Sequence, residues 1–275
     1  KNKEPSFDDL KELDIIVYDI QDIGVRFYTF ISSLYHIMNS CSKYKKTCLI
    51  LDRPNSNANN ISGPVLEKDQ KSFLGMYPIP VVYGLTTGEL ALMSKGEGWV
   101  SKKVNLKVIP IKNWKRHIKP KLKIKPSPNL PDDISISHYP SLALFEPTIV
   151  SIGRGTYKPF QVIGHPSISN AKFSFKPKSI DGMSKEPKHK DKICYGEDLS
   201  NSKNEVFSLK YFQKYYNLLN DKNFMKYINF FNKLIGNSST FEQIKVGTHY
   251  KEIEKSWIKK IDEYKKLRTK YLIYR

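Results

Sequence analysis

The feature that most constrains the fold is an apolar strand pattern that occurs twice, with a helical pattern between the two copies. Residues 14–18 read DIIVY, and residues 47–52 read TCLILD. Each run is short and ends in a polar turn, which is typical of a strand buried in a sheet. The residues from about Phe27 to Tyr44 have a helical pattern. Strand, helix and strand in this order predict a β-α-β unit, and therefore an α/β fold.

Polar side chains are concentrated in the turn that follows the first strand. The segment Asp19–Thr29, DIQDIGVRFYT, surrounds Gly24 with carboxylate, amide, guanidinium and phenol groups. Ligands of open α/β sheets bind at the carboxyl ends of the strands, so this turn is a candidate site. The alternative is an Asx-type turn in which Asp22 caps the following helix. Capping leaves the other polar groups unexplained, and the candidate residues are Asp19, Gln21, Asp22, Arg26 and Tyr28.

The turn after the second strand also carries a carboxylate and a guanidinium. In the motif LDRPN, Asp52 lies next to Arg53, and Pro54 stiffens the turn. Two interpretations stay open. Both side chains contact a polar ligand, or they pair with each other and only fix the loop.

Arginine is scarce in this basic chain, which makes its positions informative. Of the 46 lysines and arginines, six are arginines. Lysine is sufficient where a solvated charge is needed, whereas the planar guanidinium binds a carboxylate bidentately. Arg26, Arg53 and Arg154 lie in turn-rich polar motifs and are candidate ligand-binding residues. The other arginines are interpreted as incidental: Arg116, Arg268 and Arg275.

Further candidates lie in the second half of the chain. Glu146 lies between Phe145 and Pro147, and apolar surroundings would favour the protonated form that a general acid requires. The alternative is a structural glutamate. Arg154 lies between two glycines, which allow the backbone to approach a ligand closely. Asn129 lies on a proline-rich loop that suits a hydrogen bond to a sugar hydroxyl or acetamido group, with a turn role as the alternative.

The domain organisation is predicted from a connector. Residues 119–131 are rich in proline and lysine, which is typical of an extended linker. We therefore predict an N-terminal domain over residues 1–125 and a C-terminal domain over residues 126–275. In the last part of the chain, Ile253, Trp257 and Ile261 recur every four residues, which predicts one long helix.

Composition argues against several classes of function. The net charge of +19 suggests binding to a polyanion, but the lysines are spread along the chain and no nucleic-acid motif occurs, so we expect no nucleic-acid partner. A polyanion binder is the minor alternative. The three cysteines have no metal-ligand spacing, no Gly-rich fingerprint follows either strand, and no apolar run is long enough to span a membrane. We expect no metal, no cofactor and no membrane span.

Several blocks of sequence, taken in order, carry a resemblance to a known family. They are DIIVYDIQDIGVRFYTFISS from Asp14, LDRPN from Leu51, GPVL from Gly63, YPIPVVYGLTTGEL from Tyr77, PSPNLP from Pro126, LFEPT from Leu144 and GRGTYKPFQ from Gly153. Together they resemble the NamZ/YbbC family of exo-β-N-acetylmuramidases over nearly the whole chain. GEGW from Gly96 and CYGEDL from Cys194 are similar to its Bacteroidetes branch.

The resemblance implies a partial Rossmann-like N-terminal domain and a smaller α+β C-terminal domain, with a sugar site in the cleft between them. It implies a glycoside hydrolase that releases N-acetylmuramic acid (MurNAc) from the non-reducing ends of peptidoglycan-derived MurNAc-GlcNAc fragments during cell-wall recycling. A location in the cell envelope, periplasmic or secreted, would follow, with the cytoplasm as the alternative. The catalytic carboxyl groups would be Asp22 and Glu146. The substrate-binding residues would be Asp19, Gln21, Arg26, Tyr28, Asp52, Arg53, Asn129 and Arg154.

The chain also departs from the family pattern. Family members carry an upstream Pro-Glu-His-Gly segment whose glutamate is the leading candidate for the general acid/base, and we expect this chain to lack that N-terminal part. Ile149 stands where the family tends to have asparagine, and Tyr83 stands where histidine is common. We therefore expect hydrolase activity from a protein that includes the upstream segment. The alternative is a truncated, non-catalytic remnant that at most binds muropeptide sugars.

Overall fold

The computed structural model describes residues 3–118, 120, 122–169, 171–202 and 206–274. The chain folds into two compact units. The first unit consists of Lys1–Lys121 and Ile258–Arg275, and the second consists of Leu122–Trp257. The N-terminal unit therefore also contains the last residues of the chain.

The first unit is built on a parallel sheet, which confirms the predicted α/β class. Its three strands are hydrogen-bonded in the order β1-β2-β3. In the register of the first pair, Ile15 lies opposite Thr47 and Tyr18 lies opposite Ile50. The elements are α1 (Phe7–Leu10), β1 (Ile15–Tyr18), α2 (Phe30–Lys43), β2 (Thr47–Leu51), α3 (Thr87–Gly96), β3 (Asn105–Ile109) and α9 (Ile258–Arg268), with 3-10 turns at Lys68–Gln70 and Thr269–Tyr271.

Helix α2 covers one face of this sheet because its apolar residues recur on one side. Ile31, Leu34 and Met38 are fully buried and belong to the same core cluster as Cys48 and Ile50 of β2. This spacing is that of an amphipathic helix on a sheet. The helix begins at Phe30 rather than near Phe27, because the residues before it form the turn that carries the candidate site.

The second unit combines a small antiparallel sheet with helices, as predicted for an α+β domain. Its strands are hydrogen-bonded in the order β4-β6-β5. Aromatic rings fill its core, and the ring centroids of Phe212 and Phe231 lie 4.8 Å apart. The elements are α4 (Asp133–Leu142), a 3-10 turn (Ala143–Phe145), β4 (Val162–His165), β5 (Phe173–Phe175), β6 (Cys194–Asp198), α5 (Lys210–Leu219), α6 (Ile228–Ile235), α7 (Ser239–Lys245) and α8 (Tyr250–Ser256).

The prediction of a single long helix near the end of the chain is wrong. Helix α8 ends at Ser256 and α9 begins at Ile258, so Trp257 lies between two helices. The boundary between the two units falls at the same place. Helix α9 packs in the first unit, where the Tyr264 hydroxyl donates a hydrogen bond to the Tyr83 carbonyl at 2.7 Å.

Candidate functional site

The turn after β1 is a tight Asx-type turn centred on Gly24. The Gly24 amide donates to Asp22 Oδ2 at 2.6 Å, and Gly24 has a φ of +75°. A Cβ atom at this position would lie 2.4 Å from the Asn55 side chain, so only glycine fits. Asp22 does not cap α2, because that helix begins eight residues later at Phe30 with Thr29 as its N-cap. The Asx turn of the structural alternative is therefore present, without the capping role.

Asp22 is a buried carboxyl group with one oxygen poorly satisfied. Only 2% of the residue is exposed. Its Oδ2 also accepts a hydrogen bond from the Tyr83 hydroxyl, whereas Oδ1 has no hydrogen-bond partner in the part of the chain that the structure describes. Burial raises the pKa of Asp22 to about 6, against the opposing hydrogen bonds from Tyr83 and the backbone. Asp22 is thus a carboxyl group that carries a proton in a fraction of the molecules near neutral pH.

Three buried tyrosines are electrostatic neighbours of this carboxyl group, and Tyr83 is hydrogen-bonded to it. Burial, together with the negative charge of Asp22, raises the pKa values of Tyr18, Tyr28 and Tyr83. These phenols keep their protons, so each is a neutral hydrogen-bonding group. Tyr83, which stands where the resembled family commonly has histidine, therefore supplies Asp22 with a hydrogen-bond donor.

Asp52, after β2, is a carboxylate with both oxygens satisfied. Oδ1 accepts from the amides of Gly88 at 2.8 Å and Arg53 at 3.0 Å. Oδ2 accepts from the hydroxyls of Thr86 and Tyr274, both at 2.7 Å. Thr86 is the N-cap of α3 and Gly88 lies in its first turn, so Asp52 binds the positive end of that helix. Asp52 holds the sheet, the helix and the chain end together.

The two loops after β1 and β2 are joined by side chains, as expected for neighbouring parallel strands. Arg53 Nε lies 2.6 Å from Asp19 Oδ1, so Arg53 pairs with Asp19 and not with Asp52. Gln21 Nε2 donates to the carbonyls of Asp22 and Pro54, both at 2.8 Å. The ion pair is partly exposed, with 40% of the Arg53 side chain and 43% of the Asp19 side chain accessible.

Two asparagines that the sequence analysis did not select as site residues also bind these loops. Asn55 Nδ2 donates to the Leu85 carbonyl at 2.7 Å. Asn57 Nδ2 donates to the Ile23 carbonyl at 2.8 Å, directly beside Asp22. Asn55 is the last residue of the LDRPN motif, and the polar run NSNANN that it begins is the sequence signal for Asn57. The asparagines position the loop that carries Asp22.

Arg26 lies in the interior of the first unit. The residue is 0% exposed, and Nη1 donates to the carbonyls of Ile79 at 2.7 Å and Pro64 at 2.9 Å. Burial lowers the pKa of Arg26 to about 9, so the guanidinium keeps its charge at neutral pH. Its observed contacts organise the loop, and substrate binding by Arg26 stays a prediction.

The interpretation of Arg116 and Arg268 as incidental is wrong. Arg116 Nη2 forms an ion pair with the fully buried Glu89, and Arg268 Nη1 donates to the Gly84 carbonyl. Glu89 also completes a capping box with Thr86, and the Thr-x-x-Glu spacing that favours it can be read in the sequence. A buried glutamate requires such a partner, because an unpaired charge in the interior is costly. Arg275 lies outside the described residues.

In the second unit, Glu146 and Arg154 are brought together, whereas Asn129 binds another segment. Arg154 Nε donates to Glu146 Oε1 at 2.6 Å, and 33% of the Arg154 side chain and 22% of the Glu146 side chain are exposed. The sequence predicts apolar surroundings for Glu146, and this prediction is wrong, because Arg154 is hydrogen-bonded to it. Asn129 Nδ2 donates to the Met183 carbonyl at 2.9 Å. The sequence analysis missed Lys188, whose Nζ donates to the Phe145 carbonyl at 2.7 Å, next to Glu146.

Two negative findings apply to the part of the chain that the structure describes. No helix there has the length and apolar character needed to cross a bilayer. No group of three or more histidine, cysteine, aspartate or glutamate side chains in the same residues is arranged to hold a metal ion.

Comparison with known proteins connects both units to one family. The model of the N-terminal part of exo-beta-N-acetylmuramidase NamZ matches residues 1–134, and the model of its C-terminal part matches residues 137–274. The peptidoglycan beta-N-acetylmuramidase NamZ of Bacillus subtilis (strain 168) is 35% identical over 294 residues, which cover 100% of this chain and 70% of the relative.

Two solved structures are similar to the whole chain. Both are DUF1343 family proteins from Bacteroides fragilis NCTC 9343. The first is 41% identical with a TM-score of 0.93, and the match covers 98% of this chain and 78% of that protein. The second is 28% identical with a TM-score of 0.88 over 99% of this chain and 78% of that protein.

Proposed function

Because the chain belongs to the exo-β-N-acetylmuramidase NamZ family, we propose that it hydrolyses the glycosidic bond after a non-reducing terminal MurNAc in peptidoglycan fragments. The finer parts of this proposal are exo-action, MurNAc-GlcNAc fragments as substrates, and a role in cell-wall recycling in the cell envelope. The observation that carries it is the buried, under-satisfied carboxyl group of Asp22. Such a group is suited to acid catalysis.

Among the residues of this chain, we assign the proton donor of this mechanism to Asp22. Glycosidic bonds break when a carboxylic acid protonates the leaving oxygen while a second carboxylate stabilises or attacks the anomeric carbon, directly or through water. With a pKa of about 6, Asp22 is protonated in a useful fraction of molecules near neutrality and regains a proton readily. Only 2% of Asp22 is exposed, so the proposal requires the Asp19–Thr29 loop to open when substrate binds.

Glu146 is the second carboxyl group of the proposal. It is held as the negative half of an ion pair with Arg154, at 2.6 Å. A carboxylate fixed in this way is suited to stabilising positive charge on the sugar ring or to activating water. The ion pair uses Arg154 Nε. Because a guanidinium has further donors on its terminal nitrogens, Arg154 can bind a second anion at the same time.

The second anion is the lactyl carboxylate that distinguishes MurNAc from GlcNAc. We assign it to Arg154, and we expect Arg154→Lys to raise KM for MurNAc substrates about 10-fold because a point charge replaces a planar fork. Arg53→Lys is the matched variant, since Arg53 is also held through Nε to a carboxylate at 2.6 Å. A rise in KM confined to Arg53→Lys would move the assignment to the first unit.

The function is tested by incubating the full-length protein with a MurNAc-GlcNAc disaccharide and with a longer glycan of the same repeat, followed by mass spectrometry of the products. We expect free MurNAc from both substrates and no internal fragments from the longer one. Internal fragments would contradict exo-action, and an absence of any cleavage would contradict the proposed function. GlcNAc-GlcNAc, which lacks the lactyl group, is the control substrate.

A further inference from the structure

The turn that carries Glu146 is held by side chains from a distant loop. Lys188 Nζ donates to the Phe145 carbonyl at 2.7 Å and to the Val150 carbonyl at 3.3 Å. His189 Nε2 donates to the Ile149 carbonyl at 2.6 Å. Two adjacent residues of one loop therefore form a clamp on carbonyl groups at both sides of Glu146. The Phe145 carbonyl also accepts hydrogen bonds from the Thr148 amide at 2.9 Å and the Thr148 hydroxyl at 2.8 Å. Lys188 therefore adds a charged donor that joins this carbonyl to that of Val150, on the other side of Glu146.

Backbone hydrogen bonds fix the same turn to another segment. The Ile149 amide donates to the Phe224 carbonyl at 3.0 Å, and the Lys226 amide donates to the Pro147 carbonyl at 2.9 Å. Main-chain contacts and the two side chains thus fix different groups of one short turn. The carbonyls of Phe145, Pro147, Ile149 and Val150 thus all accept hydrogen bonds, and the Glu146 side chain between them is 22% exposed and paired with Arg154.

The position of Lys188 is electrostatically unusual. Burial lowers the pKa of Lys188 to about 8, the negative charge of Glu146 opposes this shift, and the positive charges of Lys226 and Arg154 add to it. His189 lies beside it with a left-handed backbone, φ +57°, which is an uncommon conformation for a residue other than glycine. Lys188 is therefore a buried lysine that binds two carbonyl groups, and not a surface lysine that only contributes to solubility.

We propose that Lys188, assisted by His189, is a positioning residue that fixes the turn carrying Glu146 for catalysis. The inference rests on the proposed function, in which Glu146 is a catalytic carboxylate. Lys188 acts through the backbone, since its hydrogen bonds go to the carbonyls of Phe145 and Val150. Loss of the ammonium group removes the one donor that joins these two carbonyls across the turn, and lets the Glu146 carboxylate leave its productive geometry.

A pH dependence follows from the charge of the ammonium group. The charged groups that face Lys188 are Glu146, Arg154 and Lys226, and His189 is its neighbour in the chain. The clamp is complete while Lys188 is protonated and weakens as the pH rises through about 8. The fall in kcat that begins near pH 6, as Asp22 loses its proton, therefore has a second, steeper limb above about pH 8. Arginine keeps its proton at this pH, so Lys188→Arg moves that limb upward.

The kinetic test compares Lys188→Met, Lys188→Arg and the wild type. We expect Lys188→Met to lower kcat about 10- to 100-fold with KM changed less than about 2-fold, because the reacting group is misplaced while the substrate still binds. Lys188→Arg restores most of kcat and shifts the alkaline limb. Lys190→Met is the matched control, since Lys190 is an exposed residue that pairs with Glu186. Wild-type kcat and pH profile in Lys188→Met would overturn the proposal.

A second measurement does not depend on hydrolysis. Hydrogen–deuterium exchange of peptides that span residues 145–151 is compared in the wild type, Lys188→Met and Lys190→Met, with peptides from α2 as an internal reference. We expect faster exchange in this turn for Lys188→Met only, with unchanged exchange in α2. Unchanged exchange in the turn overturns the clamp whatever the activity.

The two measurements together separate the two claims. Faster exchange in a protein whose wild type releases no MurNAc refutes the proposed function and with it the catalytic purpose of the clamp. Faster exchange with normal kcat leaves a merely structural contact and overturns the positioning role. Faster exchange with a lowered kcat and rescue by Lys188→Arg supports both.

Discussion

The loops after β1 and β2 each place an aspartate at the carboxyl end of a parallel strand, and the two aspartates differ in how well they are satisfied. Asp52 accepts hydrogen bonds on both oxygens from Gly88, Arg53, Thr86 and Tyr274. Asp22 accepts them on Oδ2, and its Oδ1 has no partner among the described residues. Burial raises the pKa of both carboxyl groups, that of Asp22 to about 6.

The difference teaches that topology alone does not identify a reactive group. Both positions are where an α/β sheet binds ligands. A fully hydrogen-bonded carboxylate stabilises the fold, and any chemistry at Asp52 would require breaking those bonds. A buried carboxyl group with an unsatisfied oxygen lowers the stability of the fold. A protein retains such a group where it has a function. Under the proposed function, the contrast favours a structural role for Asp52 and a catalytic role for Asp22.

The largest expected effect is the loss of activity in Asp22→Asn. We expect kcat/KM for MurNAc release to fall by at least about 100-fold, because the amide cannot transfer the proton. The rate of MurNAc release measures the effect. Asp181→Asn serves as control, since that side chain is 95% exposed. Full activity in Asp22→Asn would contradict a catalytic role for Asp22.

The same variant should become more stable rather than less. The pKa of Asp22 in the folded state is about 6 and its ordinary value is 3.8, so the stabilisation from the bound proton is complete below about pH 4 and is lost as the pH rises towards 6. The amide of the variant carries no charge, so we expect Asp22→Asn to gain about 2–3 kcal/mol in unfolding free energy, relative to the wild type, between pH 4 and pH 7. Urea denaturation at the two pH values measures the gain.

Asp52→Asn should have the opposite effect on stability. The amide nitrogen that replaces one oxygen faces hydrogen-bond donors, so buried groups lose their acceptor. We expect the unfolding free energy to fall by about 2–4 kcal/mol at pH 7, as for the loss of hydrogen bonds to a buried charge. Urea denaturation beside Asp22→Asn provides the comparison. If both variants lose stability equally, the two loops do not differ as described.

Tyr83→Phe sharpens the comparison by removing one donor from Asp22. The hydrogen bond from Tyr83 lowers the pKa of Asp22, so its removal should raise that pKa further. Because the protonated acid then persists to higher pH, the alkaline limb of kcat/KM that belongs to Asp22 should move upward by roughly 0.5–1 pH unit. The pH profile measures this shift. A downward shift would show that Tyr83 acts on Asp22 in another way.

The smallest expected effect concerns the exposed pair beside both loops. Arg53→Ala removes the ion pair with Asp19. In this pair, 43% of the Asp19 side chain is exposed. Exposed pairs are screened by solvent, so we expect the unfolding free energy to change by less than about 1 kcal/mol. Thermal unfolding measures the change. A larger loss would mean that this pair, and not Asp52, fixes the loops.

Local patterns allowed much of this fold to be predicted from the sequence. The strand, helix and strand of the first unit follow from apolar runs and turns, and the capping box follows from Thr86 and Glu89. The proximity of the loops that carry Asp19 and Arg53 follows from the rule that parallel strands end at the same edge. These predictions depend on residues close in sequence or on topology.

The roles of the arginines could not be predicted, because their partners are distant in sequence. Arg26 binds carbonyls 38 and 53 residues away, and Arg116 pairs with Glu89, 27 residues away. The sequence shows which residues can make bidentate contacts, and only the packing decides whether the acceptor is a ligand or the chain itself. The break at Trp257 was missed for a similar reason, since the apolar spacing continues across two helices that belong to different units.

The most direct test of the contrast is the titration of the Asp22 carboxyl group. Carbon-13 NMR of protein labelled at the aspartate carboxyl carbons, with Asp22→Asn used to assign the signal, gives the midpoint. The account predicts a midpoint at about 6, well above that of an exposed aspartate. A midpoint at or below about 4, the ordinary value, would contradict the claim that this loop holds a proton-carrying carboxyl group.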